Sequence, residues 1–158
     1  MSKHSDYAKE LFKRGYNCSQ SVLVAFCDET GLDIEDALKI SSSFGGGMGR
    51  LREVCGAVSG MFMVVGMKYG YTDPTDKQKK SEHYNLIQSL AKQFEQSNQS
   101  IICRDLLKIN SNPKQNYALN IQQGKVLSKL IHPQQLLVLK LVILIQTGFQ
   151  HHFNNNLK

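Results

Sequence analysis

The chain of 158 residues lacks several features that would assign it to a familiar class. No two of its four cysteines have the Cys-x-x-Cys spacing, which excludes a zinc ribbon and a thioredoxin-type motif. The apolar run over 136–145 is interrupted by Lys140 and has about half of the roughly 20 residues that a membrane-spanning helix needs. The first residues lack the apolar core of a secretory signal. We therefore expect a cytoplasmic protein without a transmembrane segment.

Acidic residues are absent after Asp105. Up to that position 13 Lys+Arg balance 13 Asp+Glu, so the 6 lysines that follow supply the whole net charge of +6. Nucleic-acid binding needs a basic face on the folded domain, and the balanced part of the chain shows no such cluster. We therefore expect no nucleic-acid partner.

The spacing of apolar residues up to about residue 110 predicts an all-α fold, a compact domain of about five to six helices. Gly15 ends the first helix, and Asn17 is the predicted N-cap of a second helix that stops near Gly31. Asp33 caps a third. Further helices are predicted over 54–69, from a cap at Thr75 to about Gln96, and around Cys103.

A glycine-rich loop over 44–49 precedes the apolar helix and cannot be regular structure, because glycine loses too much backbone entropy there. The loop lacks the sequence of a phosphate-binding P-loop or a dinucleotide fingerprint. Its backbone amides can cradle a bound group, with a permissive turn as the alternative interpretation. The predicted cofactor-binding positions are Gly45, Gly46, Gly47, Gly49, Gly56 and Gly60.

Cys55 follows this loop at the predicted start of the apolar helix. Helix-terminal amides there favour a thiolate. The positive charges of Arg50 and Arg52 favour it further, and the negative charge of Glu53 disfavours it. The alternative is a small buried hydrophobic residue. Cys18 repeats the placement at a helix start, directly after Asn17.

The other two cysteines carry weaker signals. Cys27 follows Phe26 in an apolar helix, which favours core packing. Cys103 stands beside Arg104 and Asp105, and its own surroundings in the sequence leave both interpretations open.

Three blocks of this sequence resemble the C-GCAxxG-C-C family of small four-cysteine proteins, which is described as redox-active. They are residues 15–20 (GYNCSQ), 44–60 with Cys55-Gly56-Ala57-x-x-Gly60, and 100–106 (SIICRDL). The resemblance covers about residues 5–110 and implies a mostly helical fold. It also implies that Cys18, Cys55 and Cys103 are three of the family's four characteristic cysteines.

The family's fourth cysteine lies near the C-terminus, and no cysteine follows Cys103 here. We therefore divide the chain into a helical cysteine-motif domain, 1–110, and a divergent tail, 111–158. One interpretation is that this member has lost the fourth thiol. The other is a shift of reading frame, which would explain the loss of acidic residues and would leave the tail partly disordered.

The preferred function is thiol–disulfide or electron-transfer chemistry with a redox partner, in the manner of a thiol-dependent oxidoreductase. Cys55 would attack, and Cys18 or Cys103 would resolve the product. A second hypothesis is a metal-binding module, in which Cys18, Cys55 and Cys103 hold a metal ion or an iron–sulfur cluster, because soft thiolates bind such centres. The third is a helical interaction protein whose cysteines only pack.

Overall fold

The computed structural model of the chain describes residues 3–107. Within this range the fold is all-α, as predicted: helical segments with a single isolated β-bridge, between Val54 and Ile102, and no strand. The segments are α1 (Lys3–Lys13), α2 (Cys18–Ala25), α3 (Cys27–Thr30), α4 (Ile34–Ser42), α5 (Gly45–Met48), α6 (Gly56–Tyr69), α7 (Lys77–Asn98) and α8 (Cys103–Leu106). They outnumber the five to six expected because α3, α5 and α8 are four-residue turns.

Two helix starts are confirmed at the level of the capping side chain. Asn17 Oδ1 accepts hydrogen bonds from the amides of Ser19 and Gln20, both at 3.0 Å, and the Gln20 side chain accepts one from the Asn17 amide at 3.1 Å. This reciprocal pair is a capping box. Asp33 accepts from the amides of Glu35 and Asp36 at the start of α4.

Other boundaries differ from the predictions. The second predicted helix is divided at Phe26, whose φ of −112° and ψ of 15° depart from helical values. Asp76, instead of the expected Thr75, caps α7 by accepting a hydrogen bond from the Lys79 amide at 2.8 Å. Thr75 is held outside the helix because its amide and hydroxyl both donate to Asp73. At Thr75 the local hydrogen bonds to Asp73 outweigh the simple pattern.

Helix α2 lies at the centre of the fold and packs against α1, α4 and α6. Close packing with α6 requires a small residue there: a Cβ added to Gly60 would lie 2.9 Å from the carbonyl oxygen of Ser19 and 3.0 Å from Cβ of Val22. The fully buried side chains include Phe26, Val22, Val58, Met61 and Phe94. This core fixes the starts of α2 and α6 beside each other.

A search of the described residues for a helix long and apolar enough to cross a membrane finds none. The apolar run over 136–145, the predicted tail and its two interpretations lie outside the described residues.

Candidate functional site

A short antiparallel contact joins the segments that carry Cys55 and Cys103. The Cys55 amide donates to the Ile101 carbonyl at 2.8 Å, and the Cys103 amide donates to the Glu53 carbonyl at 2.7 Å. These two bonds flank the Val54–Ile102 bridge, as in an antiparallel ladder. Val54 is therefore extended, which explains why α6 begins at Gly56 and why Cys55 becomes its N-cap residue.

Cys18 reaches the same place from the first turn of α2. A Cβ added to Gly56 would lie 2.5 Å from Sγ of Cys18 and 2.5 Å from the Phe44 carbonyl oxygen. Gly56 follows Cys55 directly, so the Cys18 sulfur lies against the backbone at the start of α6. The structure thus brings together Cys18, Cys55 and Cys103, each at the N-terminal end of a helix.

The glycine loop closes this cluster from one side. Gly46 and Gly47 have φ values of 65° and 74°, so the segment assigned as α5 is a sequence of turns, consistent with the prediction that it is irregular. A Cβ on Gly47 would lie 2.5 Å from Cβ of Cys103 and 3.0 Å from the Glu53 carbonyl oxygen. Such a close approach requires glycine at position 47. The assignment of these glycines to cofactor binding stays a prediction.

All three clustered thiols are free and buried. The exposed fractions are 4% for Cys18, 2% for Cys55 and 1% for Cys103. A reagent or substrate therefore reaches them only when the surrounding segments open.

Burial reverses the expected electrostatics of Cys55. Loss of solvation raises its pKa to about 12, and the nearby Cys18 thiol, followed by that of Cys103, adds to the increase. Hydrogen bonds from the backbone amides of Ala57 and Val58 act in the opposite direction but are outweighed. The expectation that Cys55 is held as a thiolate by the helix start is therefore wrong for this closed structure, in which it is a protonated thiol.

Cys103 has a cation beside it. The pKa of Cys103 is nevertheless raised overall, because burial outweighs the hydrogen bond and the positive charge from Arg52, which lower it, and the proximity of Cys18 raises it further. Nη1 of Arg52 lies 4.0 Å from Sγ of Cys103. We expected Arg52 to stabilise the thiolate of Cys55. Its contact is instead with Cys103, which lies in a different block of the sequence. The sequence signal for this contact was weak, because it shows an arginine beside the cysteine motif but does not indicate which thiol the arginine contacts.

The charged neighbours of this contact are themselves paired. Arg104 forms an ion pair with Glu53, and its Nε donates to the Arg52 carbonyl oxygen at 3.2 Å. Arg50, also expected to support Cys55, is exposed, and its Cγ would lie 3.1 Å from a Cβ on Gly46.

Cys27 lies apart from the cluster, at the first position of α3. It packs, partly buried, against the hydrophobic core, as predicted. Burial raises the pKa of its thiol, and the carboxylates of Asp33 and Asp28 add to the increase.

Among the described residues, no group of three or more His, Cys, Asp or Glu side chains is arranged to hold a metal ion. The three thiols as they stand do not fit the predicted metal or iron–sulfur centre.

Comparison with known proteins gives one result. Residues 16–126 match the family model described as "Putative redox-active protein (C_GCAxxG_C_C)". The match runs past residue 110, where we placed the end of the cysteine-motif domain. No curated protein and no solved structure matches the chain. Because the family match spans more than half of the sequence, the chain belongs to the C-GCAxxG-C-C family.

Proposed function

We propose that Cys18, Cys55 and Cys103 form a dithiol–disulfide redox centre. In this reaction two of the three thiols are oxidised to a disulfide, and a substrate disulfide is reduced to two thiols. The observation that carries the proposal is the convergence of three thiols from separate helix starts. Sγ of Cys18 lies against the backbone of Gly56, which follows Cys55, and two backbone hydrogen bonds join the segment of Cys103 to that of Cys55. Three cysteines that only fill space in a core would not need to converge in this way.

The segments that surround the thiols can accommodate a change of redox state. Cys103 belongs to a four-residue helix, which the Val54–Ile102 contact holds to the rest of the domain. Short elements with few backbone bonds open at a lower free energy than long buried helices. We infer that α8 moves to admit a substrate together with residues 52–53, to which it is hydrogen-bonded, while Cys18 remains on the central helix α2.

The experiment measures disulfide formation in the full chain. The reduced protein is equilibrated in buffers of graded thiol–disulfide ratio, free thiols are blocked, and the bridges are mapped by mass spectrometry. We expect loss of two hydrogen atoms per chain and a bridge between two members of the cluster. Cys27→Ser is the matched control, and we expect it to leave the bridge intact.

Single Ser variants at Cys18, Cys55 and Cys103 then identify the bridged pair. Replacement of either bridged cysteine should abolish the native bridge. If all thiols stay reduced until the protein is denatured, the cysteines are structural and the proposal fails. It also fails if anaerobically purified protein contains stoichiometric metal that protects the three thiols from oxidation.

A further inference from the structure

We propose that Cys103 is the thiol that first attacks a substrate disulfide, and that Arg52 is a positioning residue that stabilises its thiolate. This inference rests on the proposed function and assigns an order to its thiols. It reverses the sequence-based expectation that Cys55 attacks.

The first observation is the contact itself. Arg52 Nη1 lies 4.0 Å from Sγ of Cys103, and the Arg52 side chain is only partly exposed. A guanidinium stays charged at any pH that a protein tolerates. Because the thiolate is the attacking form of cysteine, a fixed cation beside Cys103 favours the reactive species.

The second observation is that the backbone holds Arg52 in place. Its φ is 66°, a left-handed value that is uncommon for a residue with a Cβ. Its carbonyl oxygen accepts hydrogen bonds from the amide and from Nε of Arg104, both at 3.2 Å. Since Arg104 follows Cys103 directly, the same two segments carry both the cation and the thiol, and their relative position is fixed by the backbone.

Cys55 has a different environment. Backbone amides of Ala57 and Val58 are its stabilising donors, and burial outweighs them. Burial raises the pKa of both thiols, but Cys103 has the Arg52 guanidinium 4.0 Å from its sulfur, whereas the groups that lower the pKa of Cys55 are backbone amides alone. Cys55 is therefore the thiol that stays protonated longer. That is the behaviour expected of a resolving thiol, which must not react first.

The reaction consists of two successive thiol–disulfide exchanges. The Cys103 thiolate attacks one sulfur of a substrate disulfide, a new S–S bond forms, and the other substrate sulfur leaves as a thiolate that takes up a proton. Cys55 or Cys18 then loses its proton and attacks Sγ of Cys103, which releases the second substrate thiol. Two protein thiols are oxidised, and one substrate disulfide is reduced to two thiols.

The test uses 2,2′-dithiodipyridine, an uncharged disulfide, on the reduced full-length chain. Rapid acid quenching and peptide mass spectrometry show which cysteine first carries the thiopyridyl group. We expect Cys103 to be the first of the three clustered thiols to be labelled. Arg52→Gln should slow labelling of Cys103 about tenfold and move its rate–pH profile to higher pH, because the thiolate loses its cation. Besides Arg52, the titratable groups that act on the Cys103 thiol are the thiols of Cys18 and Cys55.

Two variants separate electrostatics from a change of structure. Arg52→Lys keeps the charge and should restore part of the rate. Arg50→Gln removes an arginine from the same loop, at a similar φ of 70°, and should leave Cys103 labelling unchanged. Labelling of Cys27 monitors general opening and should be the same in all variants.

First labelling of Cys18 or Cys55 would overturn the inference. So would an unchanged rate and pH profile for Cys103 in Arg52→Gln. Either result, combined with an intact bridge in the redox titration, leaves the redox centre standing and rejects only the order of attack. Absence of any bridge in that titration rejects the centre itself.

Discussion

The amide of Cys103 donates a hydrogen bond of 2.7 Å to the carbonyl oxygen of Glu53. Through this bond the last described helix of the chain is attached to the residues that precede α6. Cys103 thereby lies beside the start of the helix that Cys55 caps. The candidate site is thus held by backbone pairing between two irregular segments, whereas the helices provide its rigid support.

Substitution of two glycines in α6 should have opposite effects on stability. Gly60→Ala should lower the free energy of unfolding by about 1–3 kcal/mol, because the new methyl group meets the backbone of Ser19 and Cβ of Val22. Gly66→Ala meets no atom within 4 Å and should raise that free energy by about 0.5–1 kcal/mol. Urea denaturation measures both. Equal effects of the two changes would contradict the close packing of α2 on α6.

Gly47→Ala should disturb the thiol cluster as well as the fold. At a φ of 74° the added Cβ would be strained and would also collide with Cβ of Cys103 at 2.5 Å. Gly31→Ala, at a φ of 69° in open space, is the matched control for strain alone and should cost about 1–2 kcal/mol. We expect Gly47→Ala to cost more than this control and to accelerate alkylation of Cys103. Identical costs and identical alkylation rates would exclude the contact.

Removal of the α2 cap should destabilise the centre of the fold. Asn17→Ala loses two accepted hydrogen bonds and the bond that Nδ2 donates to the Ser42 carbonyl at 3.0 Å. We expect a loss of about 1–2 kcal/mol. Asp33→Ala, which removes a solvent-exposed cap from α4, should cost about 1 kcal/mol or less. Thermal unfolding of both variants checks the order, which would be reversed if Asn17 were only a surface residue.

Alkaline pH should unfold the protein partly through Cys55. Its pKa rises from 9.0 to about 12 on folding, so the folded state holds the thiol proton more tightly than the unfolded state does. The associated stability is present in full below about pH 9 and is lost as the pH rises toward 12. Urea midpoints measured from pH 8 to pH 11 should therefore fall more steeply in the wild type than in Cys55→Ala. Parallel pH dependences would show that the Cys55 thiol is not buried as described.

The sequence predicted much of the helical framework because its signals are local. Asn17 and Asp33 cap the helices assigned to them, since a capping side chain bonds to amides two or three residues away. Gly31 ends α3 in a left-handed conformation. Predictions at Val54 and Thr75 were wrong by a residue or two, because Val54 pairs with the distant Ile102 and Thr75 bonds to Asp73.

The sequence by itself determined that Cys18 and Cys55 stand at helix starts, because caps and apolar periodicity act over a single turn. Only the tertiary structure decided which groups surround these thiols. It placed Arg52 against Cys103 and buried Cys55 so deeply that desolvation overcomes the helix amides. The physical reason is that solvent exclusion and the distance between charges depend on segments that are far apart in the sequence and come together only on folding. A local stretch of sequence therefore does not determine them.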